Sequence, residues 1–401
     1  MFKQLTISGF VALLVMFVAA PAPVFAQGSA GPSSVDGQSG SSRKQAIFDM
    51  AYTTLLQEGV PGYAIAIIKD GSVVFRSTFG MANIEQHRKV TKDTVFGLAS
   101  LTKTFTGLAL LHLVDEGKLK PGDTLDKFLK DLPPSWQKLT IFQLASMRAG
   151  MPESRADELP WPEEMSYLEK QPLEYKPDTQ CLYSNPGFRV LGSVIEAVTG
   201  MSYMDYITRT ILEPLGMSST GTTESMAAKV SCQYLGGQGP EAKLIHPIDP
   251  ITAFSAGMLA SSLDDMCTYA QALLDQKILS KAAYQTYLVD RPALASGKPA
   301  RWAWGWGATV NTQLNQRVNS MNGGLPGVAS TVILVPASNA AVVALSNMRK
   351  KPVYAIAKRA LNIYLTGDDL AQDNADSSQE GDTRPNQEAP GRDNSNSSGG
   401  P

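Results

Sequence analysis

At 401 residues, 43% of them hydrophobic, the chain is long enough for two lobes around a sizeable core, and its formal net charge of −2 gives no reason to invoke a nucleic acid partner. Its three histidines and three cysteines form no H-E-x-x-H and no close Cys/His cluster, which argues against a zinc centre and against a disulfide framework. No G-x-G-x-x-G or P-loop points to a nucleotide, so no cofactor and no metal are expected.

The first element is a leader. Lys3, the apolar stretch Ile7–Ala20 and the A-x-A-like Val24-Phe25-Ala26 before Gln27 read as a signal peptide over residues 1–26, too short to span a bilayer comfortably. The expectation is an exported bacterial protein, periplasmic or secreted, with no stable membrane insertion once the leader is cleaved. Residues 27–42, rich in Gly, Ser and Pro, read as a flexible lead. Arg43–Gln57 predicts a helix, and Ala64–Ile68, the turn Lys69-Asp70-Gly71 and Ser72–Arg76 predict a hairpin.

Ser100-Leu101-Thr102-Lys103 follows at a predicted helix start. Leu101, Phe105, Leu108, Leu111 and His112 recur at helical spacing, and Gly117 closes the run. Residues three apart share a helix face, so the Lys103 amine can reach the Ser100 oxygen. A serine hydroxyl needs a base, and a desolvated lysine can be one, or part of one. About eighty residues on, Tyr183-Ser184-Asn185 lies on a loop marked by Pro186 and Gly187. A helix then starts, with Val190, Leu191, Val194, Ile195 and Val198 as its apolar face and Gly200 as its stop. A phenol beside a lysinium loses its proton more readily, which makes Tyr183 a candidate base, and Asn185 can orient Lys103 and a substrate amide.

The middle of the chain, about 100 to 290, reads as mostly helical. His87 falls in a polar loop, His112 on a helix and His246 before a proline, and no G-x-S-x-G elbow surrounds any serine, so a Ser-His-Asp layout is disfavoured. Cys181, Cys232 and Cys267 allow at most one disulfide. Trp302, Trp304 and Trp306 alternate as if along one strand, with three rings on one face. Asn322-Gly323-Gly324-Leu325-Pro326-Gly327 reads as a strand edge rather than a hairpin turn, because strands at Gly327–Val335 and Ala340–Leu345 follow. A helix over Pro352–Tyr364 ends the fold. Residues 368–401 carry eight acidic residues and two arginines and read as a disordered acidic tail.

These segments together resemble the serine β-lactamase and penicillin-binding-protein superfamily, of the class C β-lactamase type. Phe96–Gly107 is similar to the family's nucleophile segment, Leu113–Leu119 with Asp123 and Leu125 to the segment after it, and Tyr183–Gly200 and Glu213–Met217 to the second motif and its sequel. Ala256–Ser262 and Gly305-Trp306 fit as well. The resemblance spans roughly residues 45 to 365. It implies an α+β fold: an antiparallel sheet with terminal helices packed on it (about 43–95 and 295–367) and an inserted, mainly helical lobe (about 96–294), with Ser100 at the seam.

It also implies the chemistry. Ser100, Lys103 and Tyr183 would be catalytic, and the backbone N–H groups of Ser100 and Leu325 would form an oxyanion hole, with Asn185, Asn322, Gly323 and Gly324 lining the substrate. The family's third motif carries Lys or His at the position matched here to Asn322. A neutral Asn supplies no positive charge, so esters and amides without a carboxylate are expected to be preferred over penicillins. The expected activity is hydrolysis of a small-molecule or peptide ester or amide through a Ser acyl-enzyme, as in a carboxylesterase, D-peptidase or β-lactamase. The alternative is a catalytically weak protein that binds peptidoglycan or peptide ligands. The oligomeric state is not legible.

Overall fold

Early and late segments of the chain meet in one sheet. In the computed structural model, which describes residues 38–154, 160–236, 242–245 and 250–369, the helix α1 (Gln38–Glu58) leads into β1 (Gly62–Lys69), β2 (Ser72–Asn83) and the short β3 (Arg88–Lys89). β1 and β2 are joined by Asp70 and Gly71, with φ of 50° and 79°. That left-handed pair is the two-residue turn whose twist matches paired strands. β1 is buried at nearly every position, as a strand covered on both faces must be.

The inserted segment is mostly helical. It begins with β4 (Val95–Gly97) and α2 (Thr102–Asp115) and continues through α3 (Trp161–Leu168) and α4 (Asn185–Thr199). Four short strands follow: β5 (Thr220–Thr222), β6 (Gln233–Leu235), β7 (Lys243–Ile245) and β8 (Leu259–Ser262). β8 pairs with β4 and β5, and β6 with β7, so the lobe carries small sheets that the expectation of a mostly helical middle omitted. α5 (Leu263–Leu274) returns the chain toward the large sheet, where β9 (Trp302–Ala303), β10 (Trp306–Asn311), β11 (Gln316–Leu325), β12 (Val328–Val335) and β13 (Ala340–Ser346) precede α6 (Lys351–Thr366).

The eight-stranded sheet runs β3-β2-β1-β13-β12-β11-β10-β9, and every pair in it is antiparallel. β1 and β13 register Ile65 against Ala344. Strand alternation divides the core in two. Tyr63, Ile65, Ile67, Val342 and Ala344 pack under α1 and α6. Ala64, Ala66, Ile68, Val343 and Leu345 pack against the helical lobe. Arg43 Nη1 donates to the Tyr364 carbonyl at 2.9 Å and ties the terminal helices together.

Several expectations change. The first helix begins at Gln38, inside the stretch read as a flexible lead. Trp302, Trp304 and Trp306 do not share one strand: Trp304 (φ 53°) and Gly305 (φ 87°) form a tight turn between β9 and β10. All three rings are buried. The turn is forced by proximity, since the Gly305 backbone rests on the Lys103 carbonyl and leaves no space for a Cβ. The three cysteines are free thiols. The leader, the rest of the lead, His246 and residues 370–401 lie outside the described residues. Among the described residues no helix is long and apolar enough to cross a membrane, and no cluster of His, Cys, Asp or Glu could hold a metal ion.

Candidate active site

Ser100 sits in a single 3₁₀ turn, Ala99–Leu101, that runs directly into α2. Ala99 has φ 48°, a conformation that an L side chain rarely adopts without being held there. The holding contacts are on both sides. The Leu98 amide donates to the Leu259 carbonyl of β8 (2.7 Å), and the Leu259 amide donates to Thr102 Oγ1 (3.1 Å). From β12, the Ser330 hydroxyl donates to the Leu98 carbonyl at 2.6 Å. Ser100 is therefore clamped between the small sheet of the helical lobe and the large sheet.

Lys103 is fully buried one turn later. Its Nζ lies 2.7 Å from Asn185 Oδ1, 2.9 Å from the Ala256 carbonyl and 3.3 Å from Ser100 Oγ. It also lies over the Tyr183 ring, 4.8 Å from the centroid. Burial pushes the Lys103 amine well below its ordinary range. The Arg189 guanidinium pushes it further down, and Glu153 opposes both. A neutral amine has two N–H groups and one lone pair. Asn185 and Ala256 accept the two hydrogens, so the lone pair is left for the Ser100 hydroxyl to donate to. The geometry thus suits Lys103 to take the Ser100 proton.

The second segment is delivered by α4. Ser184 caps that helix by accepting from the Gly187 amide (3.1 Å), which fixes Asn185 as its first residue rather than a loop residue. Gly200 ends the helix with φ 67°. Upstream, the Leu182 amide and the Tyr175 hydroxyl both donate to the Met147 carbonyl at 3.1 Å. Arg148 pairs with Asp178 at 2.5 Å. The lead into Tyr183 is thereby tied to the Met147 kink, and the Tyr183 ring meets Trp302 edge-on at 5.6 Å. Sequence reasoning missed this anchoring pair, because Arg148 and Asp178 belong to no local pattern. His112 accompanies Tyr206 and Glu116 on the far part of α2. Twelve residues of helix, roughly 18 Å, separate it from Ser100.

The third segment starts on β11, as its flanks suggested: Asn322–Leu325 end that strand, and Pro326-Gly327 turn the chain into β12. β10 pairs with β11 only as far as Ser320. Among the described residues no strand pairs with the outer edge of Met321–Leu325. Gly323 comes so close to the Leu98 carbonyl that no Cβ fits, which brings this edge against the Ser100 turn. The Tyr354 hydroxyl of α6 donates to the Gly323 carbonyl at 2.8 Å.

Asn322 does not stand where a cationic residue of that motif was expected. Alternation puts Met321 and Gly323 on the face toward the helical lobe, with Met321 buried in its core. Asn322 and Gly324 are on the opposite face. Asn322 registers with Thr331 and accepts its hydroxyl at 2.6 Å, leaving the amide nitrogen to donate. On that same face a cation is present after all. A Cβ at Gly324 would lie 2.8 Å from Arg349 Nε, so the exposed Arg349 guanidinium covers this end of the strand. The residue follows β13 and is remote in sequence from Asn322, so no motif announced it.

Comparison with known proteins follows the same outline. The family described as Beta-lactamase matches residues 42–365. The protein Flp of Staphylococcus aureus strain NCTC 8325 is 27% identical over 313 residues, covering 74% of this chain and 62% of Flp, so the chain spans less than two thirds of that relative. Penicillin-binding protein 4* of Bacillus subtilis strain 168 is 26% identical over 325 residues, covering 73% of this chain and 70% of that protein. Among solved structures, the octameric penicillin-binding protein homologue from Pyrococcus abyssi superimposes with a TM-score of 0.70 at 28% identity, over 80% of this chain and 77% of that one. The crystal structure of SurE shares the fold with a TM-score of 0.68 at 22% identity, over 79% of this chain and 75% of that one.

Proposed function

The chain belongs to the beta-lactamase family, and on that premise we propose that it is an exported serine hydrolase that cleaves an ester or amide through an acyl-enzyme on Ser100. The observation that carries the reading is the buried Lys103 amine, 3.3 Å from Ser100 Oγ with both its hydrogens engaged elsewhere. Ser100 Oγ attacks the carbonyl carbon as its proton passes to Lys103. Tyr183 beside Lys103 shares that proton and hands it to the leaving group. Because the two interact closely, the apparent pKa values belong to the pair. The amides of Ser100 and Leu325 receive the developing oxyanion, and each such donor is worth about 3 kcal/mol. Water then releases the acyl group.

One observation favours a second specificity reading. Arg349 beside Gly324 is a positive charge next to the β11 edge, so substrates carrying an anionic group are supported alongside neutral esters. Penicillin is a fitting probe, since one relative is named for binding it. Treatment with a fluorophosphonate or a penicillin should leave one adduct, on Ser100 by mass spectrometry, and Ser100→Ala should abolish it. An adduct on another serine overturns the assignment. Comparing kcat/KM for nitrocefin and p-nitrophenyl acetate in wild type and Arg349→Ala tests the anion site. The variant should lose about tenfold on nitrocefin, the value of one charge-assisted hydrogen bond, and little on the ester. Equal losses would refute it.

A further inference from the structure

One stripe of α4 carries Asn185, Arg189 and Ser193, each four residues after the last. α3 lies along this stripe. Glu164 forms an ion pair with Arg189, and Trp161 Nε1 donates to Ser193 Oγ at 2.8 Å. Both members of the pair are almost fully buried, with side-chain exposures of 3% for Arg189 and 1% for Glu164. Arg189 stands one helical turn after Asn185 on this face. Asn185 is the residue that accepts from Lys103.

A buried ion pair is a poor stabiliser, because desolvating two charges offsets most of their attraction. Its presence one helical turn behind the Lys103 contact is better explained by its field. We propose that the Arg189–Glu164 pair is an electrostatic positioning device for the site: the Arg189 cation keeps Lys103 neutral and able to accept the Ser100 proton, and Glu164 fixes that cation in place and tempers its field. Arg189 and Glu164 touch no reacting atom. The inference rests on the reading of Ser100 and Lys103 given above.

The other groups that face Lys103 are few. Glu153 from the preceding loop favours its protonated form, and Arg189 disfavours it. Tyr183 lies beside it, and Ala256 offers only a carbonyl. β11 presents Met321 and Gly323, which do not titrate, and the β9–β10 turn presents backbone. Among the described residues Arg189 and Glu153 are the fixed charges that bear directly on Lys103, and Glu164 acts through the Arg189 it pairs with, so the sign of each variant's effect follows.

The test is the rate of Ser100 labelling by a fluorophosphonate as a function of pH. Acylation needs neutral Lys103, so the rate falls on the acid side as that amine is protonated. Arg189→Met removes a positive neighbour and should move the acid limb up by about one pH unit. Glu164→Gln removes the tempering anion and should move the limb down. Arg189→Lys should keep the wild-type limb, and the double variant Arg189→Met/Glu164→Met should lie between the two singles. A merely structural pair would lower the rate in both singles without opposite shifts, and that result overturns the proposal. Should Arg189→Met fail to fold by circular dichroism, the downward shift in Glu164→Gln and the wild-type limb in Arg189→Lys decide the matter. A wild-type protein that does not label at Ser100 would instead refute the acyl-enzyme reading itself.

Discussion

Lys103 sits where a charge is least welcome. The amine titrates near 10.5 when free and well below that when folded. Between those two values the unfolded chain holds a proton that the native protein lacks. Stability therefore rises with pH across that window, by about 1.4 kcal/mol per pH unit, and is lost as pH falls. Lys103→Met removes this dependence. Denaturant midpoints for wild type and Lys103→Met, measured from pH 6 to pH 10, should show wild type gaining on the variant as pH rises. Parallel curves would mean that Lys103 keeps an ordinary affinity for its proton. The residue-level geometry was readable early: Ser100, Lys103 and Asn185 come together as helical spacing and the two motifs suggested. Arg349 was not readable, because nothing in a linear sequence says that the end of β13 lies over Gly324.

At the level of the element, the open stretch of β11 illustrates both the reach and the limit of pattern reading. The Asn-Gly-Gly run was rightly placed on a strand, since apolar segments on its C-terminal side required a partner. Which face Asn322 occupies depends on register, and a one-residue difference reverses every side chain. The register became visible only through pairs such as Met321 with Val332 and Asn322 with Thr331. The Trp302–Trp306 run misled for a related reason: alternation of large rings resembles a strand, whereas the left-handed Trp304-Gly305 turn is set by contact with the α2 backbone. Gly323 carries a prediction. Gly323→Ala would press a methyl group into the Leu98 carbonyl and move β11 away from the Ser100 turn. Turnover should fall by about 10²–10³ through the lost oxyanion donor, with the melting temperature changing far less than activity. An unchanged kcat would show that the Leu325 amide does not take part.

The whole molecule was legible as two lobes with a seam, because the apolar patterns at both chain ends are strand-like and those between are largely helical. The small sheets of the middle lobe escaped notice, since strands of three or four residues leave almost no periodicity. The core beneath α1 and α6 makes a further prediction. A chain beginning at Gly59 would expose the surface now covered by Ile47, Met50, Ala51 and Leu55. Each large apolar side chain so uncovered costs about 1.5–3 kcal/mol, enough in sum to exceed the stability of a typical domain. Such a chain should show no cooperative thermal transition by circular dichroism, and a cooperative melt at the wild-type temperature would contradict this account of the core.

The pairing of Ile65 with Ala344 has a consequence for the timing of synthesis. As the chain leaves the ribosome, β1 and β2 emerge early, yet the strand that must lie beside β1 is among the last to appear. Contacts so distant in sequence slow folding and leave an unpaired edge waiting throughout translation. Ser330 and Gly323, which clamp the Ser100 turn from the far side, arrive in the same late segment. The Ser100 turn therefore lacks its contacts from β11 and β12 until nearly the entire polypeptide has been made. Under the proposed mechanism, full reactivity waits on completion of the sheet.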